Sequence, residues 1–233
     1  MIEGTSLISV IMSTYNSEKY INNSIDSILS QTYKNFEFLI VDDCSTDNTY
    51  DVLKRYSLNN TKIKIFRNNK NIGLTQSLNF LLTKAKGEMI ARQDDDDTSK
   101  PERLEIQLKT LQKSNLDFCS SRATTNGRKR KIPYVSFYLP KKIILKFKNP
   151  FIHGTLFIKK SVLLEVGGYD SNFYYSQDFK LMKDLVMNGY KFKYIKKSLY
   201  FLNTKNNISS NYKYQQKYFA DCVRKNIIPK IKV

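Results

Sequence analysis

The stretch ARQDDDDTSKPERL, residues 91–104, sets four carboxylates side by side: Asp94, Asp95, Asp96 and Asp97. An unperturbed aspartate titrates near ~3.9, so all four carry charge at neutral pH unless their surroundings oppose it. Adjacent like charges do oppose it, and a cation or water must offset the repulsion. Three arrangements fit that chemistry: a solvated acidic turn, a calcium loop, or a strand end that holds a metal and a nucleotide. A calcium loop opened at Asp94 puts Asp96 at position three, Thr98 at five and Glu105 at twelve, a partial EF-hand match. Against it, Ser99 stands at the glycine position, Pro101 lies inside the loop, and the segment before it reads as a strand.

Hydrophobic periodicity defines the elements that would present these carboxylates. LISVIM (7–12) and FEFLIVDD (36–43) are short β-branched runs, hence buried strands. KIKIF (62–66), EMIAR (88–92) and LDFCSS (116–121) are further strands. Between them, Ile21, Ile25, Ile28 and Leu29 share a helical face, and Ser45 or Thr46 can N-cap a helix that turns Val52 and Leu53 inward. LTQSLNFLLTKAK reads as a helix ended by Gly87, and Pro101 suits the first turn of ERLEIQLKTLQ. Strand–helix alternation of this kind predicts an α/β fold, Rossmann-like, with a mostly parallel sheet and helices on both faces. Ligands of such sheets bind beyond the carboxyl ends of the strands. Here those ends carry Ser13 to Asn16, then Asp42 and Asp43, then Asp94 to Asp97. Neither GxGxxG nor GxxxxGK[ST] is present, which argues against a dinucleotide fingerprint or a Walker loop.

Composition narrows the class. The chain has 233 residues, 41% hydrophobic and 13% aromatic, ample for a packed core. It opens at Met1 without a basic-then-apolar leader, and no run approaches the roughly 18 apolar residues of a membrane span. Cys44, Cys119 and Cys222 form no CxxC, and reduced thiols in a cytoplasmic protein are the expectation. The net charge of +18 is uneven: residues 1–120 carry 15 Lys/Arg against 16 Asp/Glu, and residues 121–233 carry 24 against 5. A basic half can face nucleic acid, an anionic membrane or an anionic substrate. A basic nucleic-acid-binding protein is the principal rival to an enzyme, and it rests on charge alone, with no recognition motif.

VIMSTYNSEKYINNSIDSILSQTYKNFEFLIVDDCSTDNT, NIGLTQSLNFLLTKAKGEMIARQDDDDTSKPERL and HGTLFIKKSVLLEVGGYD followed by SQDFKLM together resemble the family 2 glycosyltransferases of the GT-A fold, over roughly residues 6 to 202. The resemblance implies an inverting, metal-dependent transferase that moves a sugar from a nucleotide-diphosphate donor, such as a UDP-sugar. Its acceptor would be a glycan or lipid-linked glycan of a surface polysaccharide. In the family pattern Asp94-Asp95-Asp96 is the DxD. Asp96 and Asp94 would contact Mn2+ or Mg2+, whose preference for oxygen ligands suits carboxylates, and Asp94 or Asp95 would lie near the ribose and diphosphate. Asp97 would cap the next helix or hold the loop. Ser13, Tyr15 and Asp43 would contact the base, with Tyr15 stacking and Asp43 accepting its ring N–H. Arg92 would pair with the aspartates or touch substrate. A nucleotidyltransferase also needs aspartates and metal, but the glycine-rich basic N-terminal loop it uses is missing.

The acceptor half, 121–202, should hold the general base. The family's acidic pair reads Gln177-Asp178 here, which assigns the base to Asp178, with Asp170 and Asp184 as rivals. His153, the sole histidine, would line the site. Processive members carry QxxRW, impossible in a chain without tryptophan, so addition of one sugar is implied. Residues 203–233 form a basic extension in which Tyr214, Tyr218, Phe219 and Cys222 can share a helical face beside Lys213, Lys217, Arg224 and Lys225. That is either a peripheral helix at the inner face of an anionic membrane or a helix packed on the domain.

Overall fold

Ile8–Thr14 (β1) and Phe36–Asp42 (β2) are buried at every position, as strands are when both faces of their sheet are covered. The computed structural model describes residues 6–125, 128–204 and 212–230. The start of the chain and the polar opening of the C-terminal extension, 205–211, lie outside the described residues. Ile63–Arg67 (β3) and Met89–Arg92 (β4) complete a parallel set in the order β3-β2-β1-β4. Helices Ile21–Leu29 (α1), Thr49–Asn59 (α2) and Leu74–Lys84 (α3) connect them. Strand order reverses at β1, so the crevice beyond β1 and β4 is the topological switch point where open α/β sheets bind ligands.

Past β4 the sheet becomes mixed. Thr98–Ser99 (β5) is followed by Arg103–Ser114 (α4), then by Phe118–Thr125 (β6) and Arg128–Ile132 (β7). Lys141–Ile144 (α5) and a single 3-10 turn, His153–Thr155, lead to Phe157–Lys159 (β8) and Lys160–Glu165 (α6). Gln177–Met187 (α7), Phe192–Leu202 (β9) and Lys213–Lys225 (α8) close the described chain. Strand β8 pairs antiparallel with β4 and β6, β9 runs parallel to β6, and β5 adds antiparallel to β9. One nine-stranded sheet thus joins both halves, and its far half carries the antiparallel pairs.

Alternation along the strands divides the core between the two faces. Val10, Met12, Phe38 and Ile40 pack against Ile21, Ile25 and Ile28 of α1, Val52 and Leu53 of α2, and Leu104 and Leu108 of α4. Ile11, Leu39 and Val41 pack on the other side against α3, α6, α7 and α8. One local expectation is corrected, and one alternative that the sequence already disfavoured is excluded. Helix α2 begins at Thr49, later than Ser45 or Thr46 would cap. Asp47 Oδ1 accepts the Thr49 N–H instead (2.9 Å), while Asn16 claims both earlier residues, donating its N–H to Ser45 Oγ and accepting the Thr46 N–H on Oδ1. The segment 94–105 is no EF-hand, because a strand precedes it, β5 interrupts it, and Glu105 lies on α4 paired with Lys109.

Helix α8 packs on the domain. Phe219, Cys222 and Val223 are buried, with the Phe219 ring 5.7 Å from that of Tyr175. Tyr214 is 89% exposed, since five residues turn it about 140° around the helix from Phe219. The predicted four-residue apolar face is therefore a stripe of 219, 222 and 223, and it faces the core. The Lys183 ammonium on α7 donates to Val223 O (2.6 Å) and Asn226 Oδ1 (2.7 Å), capping the end of α8. No helix among the described residues is long and apolar enough to cross a membrane.

Gly87 serves a different purpose from the helix stop expected of it, since α3 already ends at Lys84. A Cβ at Gly87 would stand 2.6 Å from Leu7 O and 2.6 Å from Ser9 N, both backbone atoms, and its own N–H donates to Ser9 Oγ. Gly87→Ala is expected to destabilise the fold by about 1–3 kcal/mol, the usual cost of overpacking. A urea titration checks it, and an unchanged midpoint would show that β1 can shift freely.

Candidate active site

The carboxyl ends of β1, β2 and β4 open onto a cleft of about 970 Å³, closed on the far side by residues from the 148–153 loop, the start of α7 and one face of α8. Ser13, Tyr15, Asp43, Arg92, Asp94, Asp95, Asp96, His153 and Asp178 all line it, whereas the rival bases Asp170 and Asp184 do not.

The β1 end turns sharply at Asn16, whose φ of 53° is left-handed, and leaves Tyr15 47% exposed beside the buried Ser13. At the β2 end the two aspartates divide. Asp42 is fully buried and pairs with Arg67 (3.1 Å). Asp43 accepts Asn68 Nδ2 (2.7 Å), Ile72 N–H (2.9 Å) and Gly73 N–H (2.8 Å), which folds the 68–73 bend onto the strand end. Its carboxylate is thus already engaged by the protein while one oxygen retains acceptor capacity toward the cleft.

The β4 end is fixed from behind. Buried Arg92 donates to Asp94 Oδ1 (2.6 Å) and to Ile11 O (3.3 Å), so its local pairing with the aspartates is present. The Asp94 N–H donates to the hydroxyl of the fully buried Tyr200 (3.0 Å), the Ser17 hydroxyl donates to Asp95, and Asp97 accepts the Asn203 N–H (2.7 Å). Asp97 therefore holds the loop to the end of β9. Beneath them Gln93 Nε2 donates to Asp97 O (3.0 Å), and buried Arg103 donates to Gln93 Oε1 (3.0 Å) and to Arg92 O.

Asp96 has no cationic partner among the described residues; its carboxyl hydrogen-bonds its own backbone N–H. Burial, then repulsion from Asp95 and Asp94, pushes it up to about 7. Burial also raises Asp95, despite the Ser17 hydroxyl, and burial with the Asp94 charge raises Asp97. Burial opposes the charge of Arg92, but Asp94 and its neighbours outweigh it. One guanidinium facing several carboxylates leaves an electrostatic demand for a further cation. Among the described residues no group of three or more His, Cys, Asp or Glu side chains can hold a metal unaided. The donor set is oxygen throughout, which suits a hard divalent cation that completes its shell with oxygens of a ligand.

Across the cleft, Asp178 lies in the first turn of α7 and accepts Asn149 Nδ2 (2.8 Å). Asn149 Oδ1 in turn accepts the Phe151 N–H (3.0 Å), which fixes the amide so that its NH2 faces the carboxylate. Asp170 and Asp184, the rival bases, line a separate cavity of about 300 Å³, where Asp184 pairs with Lys180. His153 Nε2 shares a hydrogen bond with Tyr169 Oη (2.9 Å), and burial together with Arg92 lowers its pKa, favouring a neutral ring. Gly154 lets that turn reach the Tyr200 hydroxyl and the Asp94 carboxylate; a Cβ would collide with both. Sequence reasoning missed Asn149, Gly154 and Tyr200. The Asn-Pro and His-Gly dipeptides were local signals for the first two, whereas nothing near Tyr200 in the chain marks it.

A family model described as glycosyl transferase family 2 matches residues 9–200. EpsE of Bacillus subtilis strain 168 is 39% identical over 176 residues, 70% of this chain and 60% of EpsE, so the chain spans about three-fifths of that relative. The O-antigen biosynthesis glycosyltransferase WbnJ of Escherichia coli is 37% identical over 182 residues, 75% of this chain and 70% of WbnJ. Among solved structures, S. aureus TarS 1-349 in complex with UDP superposes with a TM-score of 0.75 at 23% identity, over 97% of this chain and 67% of that one. The mannosyltransferase PcManGT from Pyrobaculum calidifontis, in complex with GDP-Man and Mn2+, gives 0.75 at 20% identity, over 95% and 65%. At those identities the likeness is one of fold.

The raised carboxyls fix a sign for pH dependence. Asp96 rises from the ordinary 3.8 to about 7 on folding, so between those values the folded chain holds more protons than the unfolded one. Stability therefore falls as pH rises from about 4 to about 7. The melting temperature without divalent cations is expected to drop across that window, and Asp96→Asn to flatten the slope. Added Mn2+ or Mg2+ is expected to raise it more at pH 7 than at pH 5. A slope unaltered in Asp96→Asn would show that this carboxyl is not the one held protonated.

Proposed function

The chain belongs to glycosyl transferase family 2 and has the GT-A fold, and from that premise we propose an inverting, non-processive transferase. It would move one sugar from a nucleotide-diphosphate donor, a UDP-sugar, to a glycan or lipid-linked acceptor during surface-polysaccharide synthesis. The observation that carries this reading is the convergence of Asp94–Asp96 and Asp178 on one cleft at the topological switch point. The names of two relatives, the O-antigen biosynthesis glycosyltransferase WbnJ and a teichuronic acid biosynthesis glycosyltransferase of B. subtilis, support the polysaccharide setting.

In this reading the base of the nucleotide stacks on the exposed ring of Tyr15, beside Ser13, and the remaining acceptor capacity of Asp43 meets its ring N–H. Asp96, aided by Asp94, would hold Mn2+ or Mg2+, with Asp95 near the ribose and diphosphate. Bound there, the cation supplies charge neutralisation for a leaving diphosphate. Arg92 pairs with Asp94 and orients its carboxylate. His153, neutral and tied to Tyr169, lines the sugar side. Asp178 takes the proton of the acceptor hydroxyl while that oxygen bonds to the anomeric carbon and the bond from that carbon to the diphosphate oxygen breaks. A single displacement of this kind inverts the anomeric centre. Asn149 occupies one carboxylate oxygen of Asp178 and leaves the other for the acceptor. The absence of tryptophan, and hence of QxxRW, supports transfer of one sugar.

A thermal-shift panel of nucleotide sugars with and without Mn2+ tests the donor class, and Asp96→Ala is expected to abolish the cation-dependent shift. Stabilisation of wild type by no nucleotide sugar would overturn the reading. Asp178→Asn is expected to keep donor binding yet lose transfer by about 10²–10⁴-fold, the scale of general-base catalysis. Asp170→Asn and Asp184→Asn should stay active, and an inactive Asp170 or Asp184 variant beside an active Asp178→Asn would move the base. Asn149→Ala should lower kcat while the donor KM holds.

A further inference from the structure

Between Asp117 and Glu165 the chain carries no acidic residue, yet eleven Lys and Arg fall there. Within that stretch, residues 133–148 fold back on the sheet through inward anchors. Leu145 is fully buried, and the Phe137 ring packs 5.1 Å from that of Tyr194. The Lys141 ammonium turns inward as well, donating to the carbonyls of Ser136, Phe137 and Leu139, which fixes the bend. The segment is therefore ordered with its apolar anchors satisfied, and it still leaves Tyr134, Val135, Tyr138, Leu139, Ile143 and Phe147 exposed at 42% to 65%. Lys142, Lys146 and Lys148 stand exposed among them. Arg224 donates to Phe147 O (3.0 Å), which brings the end of α8 against this segment, and exposed Ile227 and Ile228 follow it.

Large apolar side chains crowded on a protein surface mark a contact site. Interleaved with lysines, they match the chemistry of a bilayer interface: acyl boundary for the rings and aliphatic groups, anionic headgroups for the ammonium groups. A nucleic acid would satisfy the charge but offer little to Val135, Leu139 and Ile143. We propose that the surface formed by residues 134–148 and the end of α8 docks on an anionic lipid bilayer. Lys148 and Asn149 run from this surface into the cleft, where Asn149 holds Asp178, so docking sets the acceptor side of the cleft against the membrane. The docking face is thus distinct from the apolar stripe of α8, which lies in the core.

The inference builds on the reading of a lipid-linked acceptor, but its test needs neither donor nor acceptor, so the two fail separately. The full chain is sedimented with phosphatidylcholine vesicles and with vesicles that also contain phosphatidylglycerol. Recovery is expected with the anionic vesicles, with release as salt rises. Lys142→Gln with Lys146→Gln should weaken binding by about 30-fold at low salt, on the usual worth of two basic residues near an anionic surface. Ile143→Ser with Phe147→Ser should weaken it by a similar factor, whereas Lys54→Gln with Lys113→Gln, the same charge removed from α2 and α4, should not. Melting temperatures report whether each variant folds, and the fully surface-borne lysine pair keeps the test decisive if the apolar pair does not fold. Absence of binding to either vesicle, equal binding to both, or equal loss from the Lys54/Lys113 pair would overturn the proposal. So would self-association in sedimentation velocity that Ile143→Ser with Phe147→Ser abolishes without vesicle binding, since the face would then meet a second copy of the chain.

Discussion

Charge crowding at the end of β4 is the constraint around which the rest of the structure is arranged. Four consecutive carboxylates must be kept close without being allowed to relax into solvent, and two buried arginines do this in different ways. Arg92 faces them and neutralises Asp94. Arg103 stands behind and holds the backbone, through Gln93 and the Arg92 carbonyl. Loss of one partner of a buried ion pair typically costs about 3–5 kcal/mol, a large share of a domain's stability. The mixed half of the sheet answers the same demand. Strand β9 brings Tyr200 beneath Asp94 and the Asn203 N–H to Asp97, and β5 pairs with β9 directly after the acidic turn. The raised carboxyl of Asp96 is what remains when these supports are in place and no cationic side chain among the described residues pairs with it directly.

The parallel half was legible from sequence because its signals are local. Strands covered on both faces are mostly apolar, and their helices repeat every three to four residues, so β1, β2, β4 and α1 to α4 announce themselves, while the half-exposed β3 shows as an alternation. Their polar ends then mark the rim of the cleft without further information. The other half obeys long-range pairings. Strand β8 is three residues long and β5 two, each defined only by a partner far away in the chain, and β9 carries lysines through much of its length because one face is open. Site residues divide in the same way. Asp96 and Asp178 could be named from motif and placement, while Tyr200 acts from a strand about a hundred residues past the aspartates it supports. Helix α8 shows a third limit: composition marked an amphipathic helix, but only the packing of Tyr175 and Phe173 decides which stripe is covered.

The uneven charge of the chain follows from this division. The parallel half balances its acids with bases of its own, through pairs such as Arg67 with Asp42 and Lys64 with Glu37, and it keeps one uncompensated cluster at the cleft. The second half has few acids to pair, and several of its lysines serve inward instead, Lys141 and Lys183 capping carbonyl groups. Basic residues there are partly structural, and net charge by itself overstates how many are free to meet a partner.

The three N–H groups gathered by Asp43 tie the proposed recognition of the base to architecture at a single side chain. Any exchange of that carboxylate for a neutral group releases the 68–73 bend, and with it the entry to α3, before it alters discrimination between nucleotides. Directed evolution toward a new donor would therefore meet a folding barrier at this position, and the accessible routes run through Tyr15 and Asn71, which line the same cleft from exposed positions. Under the proposed function, diversity of donor choice is then confined to the rim rather than to the acidic floor.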